Sequence, residues 1–242
     1  MEYLIELHCH SKETSYCSAV GAAKLADIYK ARNYHAITVM DHYQKHWFDQ
    51  AGDISWEQKM DKFLAGYRNA KKRGDEIGIN IILGIEIRFT ENANDYLVFG
   101  IDEQLLYDNP EFYNYGAKNF SEFARANRLL FIQAHPFRNW MSIINHDYLD
   151  GVEIYNAHQW HDSRNYLAEL LYKEQRKKSP HFIATVGSDC HELTHEGRAG
   201  IISDMLPENS AELAALLRSG IYKMCKFDVS PAGFEQQVIT LL

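Results

Sequence analysis

His8 and His10, in the segment ELHCHS, are the sharpest chemical signal in the chain. Side chains of a strand alternate faces, so a histidine pair spaced by two points one way and can chelate a single ion. Asp41 and His42 follow the next apolar run, and Glu86 lies near the end of the one after it. His135 follows a later run, and Asp189 with His191 follows another. Any one of these taken alone reads as an ordinary loop residue. Five histidines and three carboxylates at five successive strand ends read instead as a metal site. Neutral imidazole mixed with carboxylate suits zinc, iron or manganese, and the acids offset the cation charge.

Such residues meet only if the chain gathers its strand ends. Short β-rich runs at 3–9, 35–40, 79–87, 95–101, 129–134, 150–155, 182–187 and 199–203 alternate with helical patterns at 22–32, 56–77, 119–127, 162–177 and 209–219. In the second helical stretch Trp56, Met60, Phe63, Leu64 and Tyr67 recur at spacings of three and four, one apolar face. This alternation predicts an α/β fold with a helix-covered parallel sheet. Seven or eight units suit a closed barrel, in which all strand C-termini open on one face. The stretches 43–58 and 103–118 read as long loops or lids.

The bulk composition narrows the rest. With 25 basic and 33 acidic residues the formal charge is −8, against a general binder of nucleic-acid backbones. Cys9, Cys17, Cys190 and Cys225 show no pairing rhythm, and Cys9 and Cys190 read as buried small hydrophobes. The opening MEYLIELHCH lacks a signal-peptide pattern, and no apolar run approaches the roughly 20 residues of a membrane span. No linker or repeat interrupts the chain. The expectation is one cytoplasmic domain over 1–242, with no membrane association and an oligomeric state that the sequence leaves open.

ELHCHS (6–11), TVMDHY (38–43), GIEIRF (84–89), QAHPFR (133–138) and GSDCHE (187–192) together resemble the ordered motifs of the polymerase-and-histidinol-phosphatase (PHP) family. The resemblance implies a distorted (β/α)7 TIM-like barrel carrying two or three divalent metal ions (Mn, Zn or Fe). His8, His10, Glu86 and Asp189 would hold one ion. Glu86 would bridge to a second ion that also takes His135, and His42 with His191 would hold the third. The loop after His10 supplies a further ligand in many members; Glu13 is the candidate here, with Cys17 behind it. Many members also carry a histidine just after the fourth strand, where this chain reads GIDEQ. The second ion is then either weakly held or helped by Asp102.

The implied chemistry is hydrolysis of a small phosphomonoester or phosphodiester by a metal-activated water, with Glu86, Asp189 and His191 as catalytic ligands. The substrate would be a phosphorylated metabolite, a nucleotide or histidinol phosphate. Arg138 and Arg198 could fork onto a phosphate, and Asn156 and His158 sit where they could touch substrate or orient a ligand. Two alternatives stand beside this reading. One is a metal-dependent amidohydrolase-type enzyme, and the other is a non-catalytic, metal-stabilised binding module.

Overall fold

The structure, a computed structural model, describes residues 1–230 and 233–240. Its elements run β1 (Tyr3–Cys9), α1 (Ala22–Ala31), β2 (Ala36–Val39), β3 (His42–Gln44), α2 (Lys45–Gln50), α3 (Trp56–Phe63), α4 (Ala65–Ile77), β4 (Asn80–Leu83), β5 (Ile85–Arg88) and β6 (Asp95–Phe99). There follow α5 (Glu103–Asp108), α6 (Gly116–Ala126), β7 (Leu130–Gln133), β8 (Gly151–Asn156), α7 (Asn165–Lys178), β9 (Ile183–Gly187), β10 (Ala199–Ser203), α8 (Ser210–Ser219), β11 (Lys223–Ser230) and β12 (Gly233–Ile239). No helix among the described residues is long and apolar enough to cross a membrane.

The strands form two six-stranded sheets, β12-β11-β10-β1-β2-β4 and β3-β5-β6-β7-β8-β9. Two strands pass from one sheet into the other. β2 continues through Met40 and Asp41 into β3, and β4 continues through Gly84 into β5. Their pairing survives the bend, because Gly84 N–H donates to Val39 O at 3.0 Å and Glu86 N–H to Asp41 O at 3.1 Å. The far edges meet just beyond β9, where Asp189 N–H donates to His8 O at 2.8 Å and His10 N–H to Cys190 O at 3.1 Å. The circuit β1, β2/β3, β4/β5, β6, β7, β8, β9 is a distorted (β/α)7 TIM-like barrel. The distortion lies at the opposite end, where β10 pairs antiparallel with the first half of β1 and extends outward into the β11–β12 hairpin.

Within the barrel circuit itself one strand departs from the expected parallel pattern. β6 runs antiparallel to both β5 and β7. The connection from Arg88 to Asp95 is a short loop, whereas a parallel crossover needs about a dozen residues or more. The stretch 43–58 holds β3, α2 and the start of α3 rather than a continuous loop, and 103–118 holds α5 and the start of α6. The 56–77 pattern becomes two helices that meet at Leu64, the first opened by a capping box between Ser55 and Gln58.

Apolar side chains fill the space between strands and helices. The larger cluster includes Ile5, Leu7, Ile85, Ile87, Leu97 and Ile132, and a second joins α1 and α4 to the outer face of β1 and β2. Cys9 and Cys190 point into that second cluster, away from the histidines beside them. Fully burying such aliphatic side chains stabilises by about 1.5–3 kcal/mol each, which offsets the cost of polar groups drawn into the barrel mouth.

Gly187 marks how tightly the barrel closes. A Cβ there would press on His8 Cβ and lie 2.9 Å from Glu153 Oε1. We expect Gly187→Ala to cost roughly 1–3 kcal/mol, as overpacking does. Thermal melts should show this as a drop of roughly 2–10 °C, and an unchanged melting temperature would contradict the tight seam.

Candidate metal centre

β1 ends by presenting His8 and His10 on the inner face, both fully buried, with their Nε2 atoms 3.1 Å apart. Glu86 reaches them from β5. Its Oε1 lies 3.0 Å from His135 Nε2 and 3.5 Å from His8 Nε2. Its Oε2 lies 2.7 Å from His42 Nδ1 and 3.6 Å from His10 Nε2. Asp189 enters from beyond β9, with Oδ1 3.2 Å from His10 Nε2, 3.5 Å from His8 Nε2 and 3.3 Å from His191 Nδ1. The rings of His42 and His191 lie against His10 at centroid distances of 4.4 and 4.3 Å. The structure thus draws together His8, His10, His42, Glu86, His135, Asp189 and His191.

The donor set suits divalent cations. Four overlapping groups hold ligand atoms within 4.8 Å of one another: His8–His10–Glu86, Glu86–Asp95–His135, His10–His42–His191 and His158–Asp189–His191. Glu86 Oε2 is buried with no hydrogen-bond donor aligned on it. The two Nε2 atoms of His8 and His10 face each other, and at most one proton can lie between them. Ligand atoms of Glu86, His8 and His10 converge here.

Electrostatics divide the rings: at His8 and His42 burial is overridden by the carboxylates beside them, which raise both pKa values well above that of a free imidazole. Burial alone would raise the Glu86 pKa, but His42, His8 and the hydrogen bond to His135 hold it well below the usual range. Burial is likewise overridden at Asp189, by His8, Arg138 and His191. His10 moves the other way: burial, with His191 and His42 alongside, pushes its pKa well below that of a free imidazole. Two candidate ligands also sit at left-handed backbone angles, His135 at φ 26° and Asp189 at φ 48°. Such strain persists where the surroundings fix a residue for function.

Buried groups behind these residues set their orientation. Glu153 on β8 takes His8 Nδ1 at 2.9 Å on Oε1, and on Oε2 accepts from His135 N–H at 3.0 Å and Asn156 Nδ2 at 2.9 Å. The lone pair of His8 Nε2 is thereby turned toward the cluster. His191 Nδ1 lies 3.0 Å from Asp189 O and donates to it, which leaves Nε2 as the ligand atom. Asp41 stands back from the cluster and accepts from Ser11 N–H, Ser11 Oγ and Ser15 Oγ at 2.7–2.8 Å. Glu6 accepts from the backbone N–H of Leu7, His8 and Ser188, and burial pushes its pKa up to about 7.

Several expected positions lie elsewhere. Glu13 is exposed and caps α1, both carboxylate oxygens accepting from Ala22 N–H at 3.1 and 2.9 Å. Cys17 of the same loop lines the barrel-mouth cleft beside His42 and His191. Burial opposes but those two imidazoles lower its pKa, to about 6. Asp102 lies at the far end of antiparallel β6, where it caps α5 through Leu105 N–H at 2.7 Å. The other end of that strand brings Asp95 to the cluster, 4.0 Å from His135 Nε2 and doubly paired with Arg88 at 2.7 and 2.6 Å. Arg198 donates to Thr194 O at 3.0 and 2.9 Å, away from the cleft. Asn156 is buried, with Nδ2 on Glu153 and Asp189 and Oδ1 accepting from Arg138 Nη2 and His158 N–H, so it positions neighbours rather than facing a substrate.

Arg138 and His158 do line the cleft, whose volume is about 460 Å³. Arg138 Nη2 donates to Asp189 Oδ2 at 2.7 Å, while its Nε has no partner. His158 Nδ1 accepts from Trp160 N–H at 3.1 Å, which places the proton of the neutral ring on Nε2. Burial, helped by Arg138, lowers its pKa to about 3. Sequence reasoning missed Glu153 and Asp95. The first was hidden in a run read only as an apolar strand, whereas the second was signalled by the short 88–95 connection.

The PHP domain family matches residues 6–216 of the chain. The chain belongs to the PHP family. No curated protein matches it. Among solved structures it is similar to a two-domain Bacteroides vulgatus protein containing a predicted PHP-like metal-dependent phosphoesterase, with TM-score 0.60 and 14% identity, covering 93% of this chain and 64% of that one. A lesion-specific endonuclease from Pyrococcus furiosus matches with TM-score 0.59 and 14% identity, over 98% of this chain and 58% of its own. An amidohydrolase from Chromobacterium violaceum matches with TM-score 0.52 and 13% identity, over 90% and 96%. This chain thus spans less than two thirds of the first two. At these identities the likeness is one of fold.

Removing the Glu153 carboxylate frees the His8 ring, so Glu153→Ala should weaken manganese binding by about 10–100-fold in calorimetric titration. Glu13→Ala should instead lose a helix cap, costing about 1 kcal/mol in denaturant unfolding at unchanged metal stoichiometry. A fall in stoichiometry would return Glu13 to the metal centre.

Proposed function

We propose that residues 1–242 form one PHP-type hydrolase domain that cleaves a small phosphomonoester or phosphodiester with two or three divalent cations (Mn, Zn or Fe). The observation that carries this reading is the convergence of His8, His10, His42, Glu86, His135, Asp189 and His191 at a cleft also lined by Arg88 and Arg138. All four cysteines are free thiols, in keeping with a reducing, cytoplasmic setting.

His8, His10, Glu86 and Asp189 would hold the first ion. Glu86, Asp95 and His135 would hold the second, with Asp95 in the role expected of Asp102. His42 and His191 would hold the third, with the Cys17 thiol in the role expected of Glu13. When bound, such cations supply Lewis-acid charge for phosphoryl oxygens and acidify a water.

The remaining work falls to the chain's own groups. Arg138 keeps Asp189 ionised and turns its guanidinium toward the cleft. Arg88, whose fork now neutralises Asp95, has the planar geometry that suits a phosphoryl group. His158 stays neutral and offers Nε2–H, so it acts as a hydrogen-bond donor to a substrate oxygen rather than as a metal ligand. The low dielectric around these groups strengthens each contact.

Elemental analysis should find at least two ions per chain, and manganese should support turnover of p-nitrophenyl phosphate. His10→Ala should lower that turnover by two orders of magnitude or more, together with ion content. One tightly held ion with no turnover across a phosphoester panel would replace this reading with a metal-stabilised binding module.

A further inference from the structure

Two tryptophans stand at the lip of the cleft, Trp140 with 83% of its surface exposed and Trp160 with 56%. The other two, Trp47 and Trp56, are packed into the protein. An indole left in water forgoes a large burial gain, and two beside one metal centre suggest a flat apolar partner that covers them.

The loops that carry them are built to hold position. Trp140 occupies a left-handed backbone angle, φ 69°, in a turn closed by Met141 N–H donating to Arg138 O at 3.0 Å. The Trp160 ring stands edge-on to His158 and His195, at centroid distances of 5.5 and 5.0 Å. Arg164 Nη2 donates to Asn139 Oδ1 at 2.7 Å and ties the two loops together. The floor of the same cleft carries Arg88, Arg138 and the histidine–carboxylate cluster.

Resting on the phosphoesterase reading above, we propose that the substrate is a free mononucleotide whose base packs on Trp140 and Trp160 while its phosphate lies between Arg88 and Arg138. Three observations favour this occupant. An aromatic rim above a floor that carries two guanidinium groups and the cation-binding cluster matches a molecule with one flat apolar end and one anionic end. A cleft of about 460 Å³ falls in the range that encloses a molecule of this size. A formal charge of −8 repels a polyanionic strand, which argues for a free nucleotide over a nucleic-acid chain.

Tryptophan fluorescence of the manganese-loaded protein, titrated with AMP and with ribose 5-phosphate, tests this directly. AMP should quench the red-edge emission and bind at least tenfold tighter than ribose 5-phosphate, as stacking on an aromatic face provides. Trp140→Ala and Trp160→Ala should each weaken AMP binding about tenfold and ribose 5-phosphate binding less than twofold, with Trp→Phe at either position restoring most of the loss. Equal affinity for the two ligands, or an indifferent response to both alanine variants, overturns the proposal even if the protein hydrolyses phosphoesters well. A single-stranded oligonucleotide that binds more tightly than AMP overturns it too. Preferential AMP binding that depends on the tryptophans upholds the ring site even where no phosphoester is turned over, which would instead count against the phosphoesterase reading.

Discussion

Glu86 is an ionised carboxylate, 1% exposed, whose ionic partners among the described residues are all histidines. An isolated carboxylate cannot be buried without a large penalty, so this one must be met by positive charge. Imidazoles can supply it as protons or can pass the role to cations. With His10 pushed well below the free imidazole pKa, at least one ring of the cluster resists protonation at neutral pH. At His8 and His42 burial is overridden by the carboxylates beside them, which raise both pKa values well above that of a free imidazole, so protons there balance Glu86 and a divalent cation would supply the same charge.

The layer behind follows from that constraint. Each ligand needs one lone pair forward and its remaining polar atoms satisfied at the rear. Glu153 does this for His8, the Asp189 carbonyl for His191, and Asn156 for Asp189. These partners come from strands or from the turns directly after them, so barrel closure and ligand geometry are one problem. Gly187 shows the link: its missing side chain lets His8 and Glu153 approach each other across the seam between β9 and β1.

Strand-end histidines were legible because they fall at the ends of apolar runs, where period-two alternation and barrel topology both act on them. His8, His10, His135 and Asp189 needed nothing more. The misplacements share one cause, the use of chain position where strand direction or local capping decides. Asp102 looked like the end of a parallel strand, yet β6 is reversed and delivers Asp95 instead. Glu13 and Cys17 stand in one loop, and the competing demand of the α1 N-terminus draws Glu13 to Ala22 N–H. Arg198 spends its donors on Thr194 O. Glu153 was invisible because a buried acid on an apolar strand carries no signal until its partners, 145 residues away in the case of His8, are in place.

The division between floor and rim explains how one fold can serve different substrates. Floor residues are locked by strand pairing and by buried carboxylates, so their chemistry tolerates little change. Rim residues lie on the connections after β7 and β8, where sequence can vary without disturbing the barrel. Arg138 joins the two layers: its Nη2 reaches Asp189 and Asn156 below and Ser163 of the rim loop at 3.2 Å. Asp189 meets Arg138 through Oδ2 and His8, His10 and His191 through Oδ1, so rim and floor share one carboxylate without competing for the same oxygen.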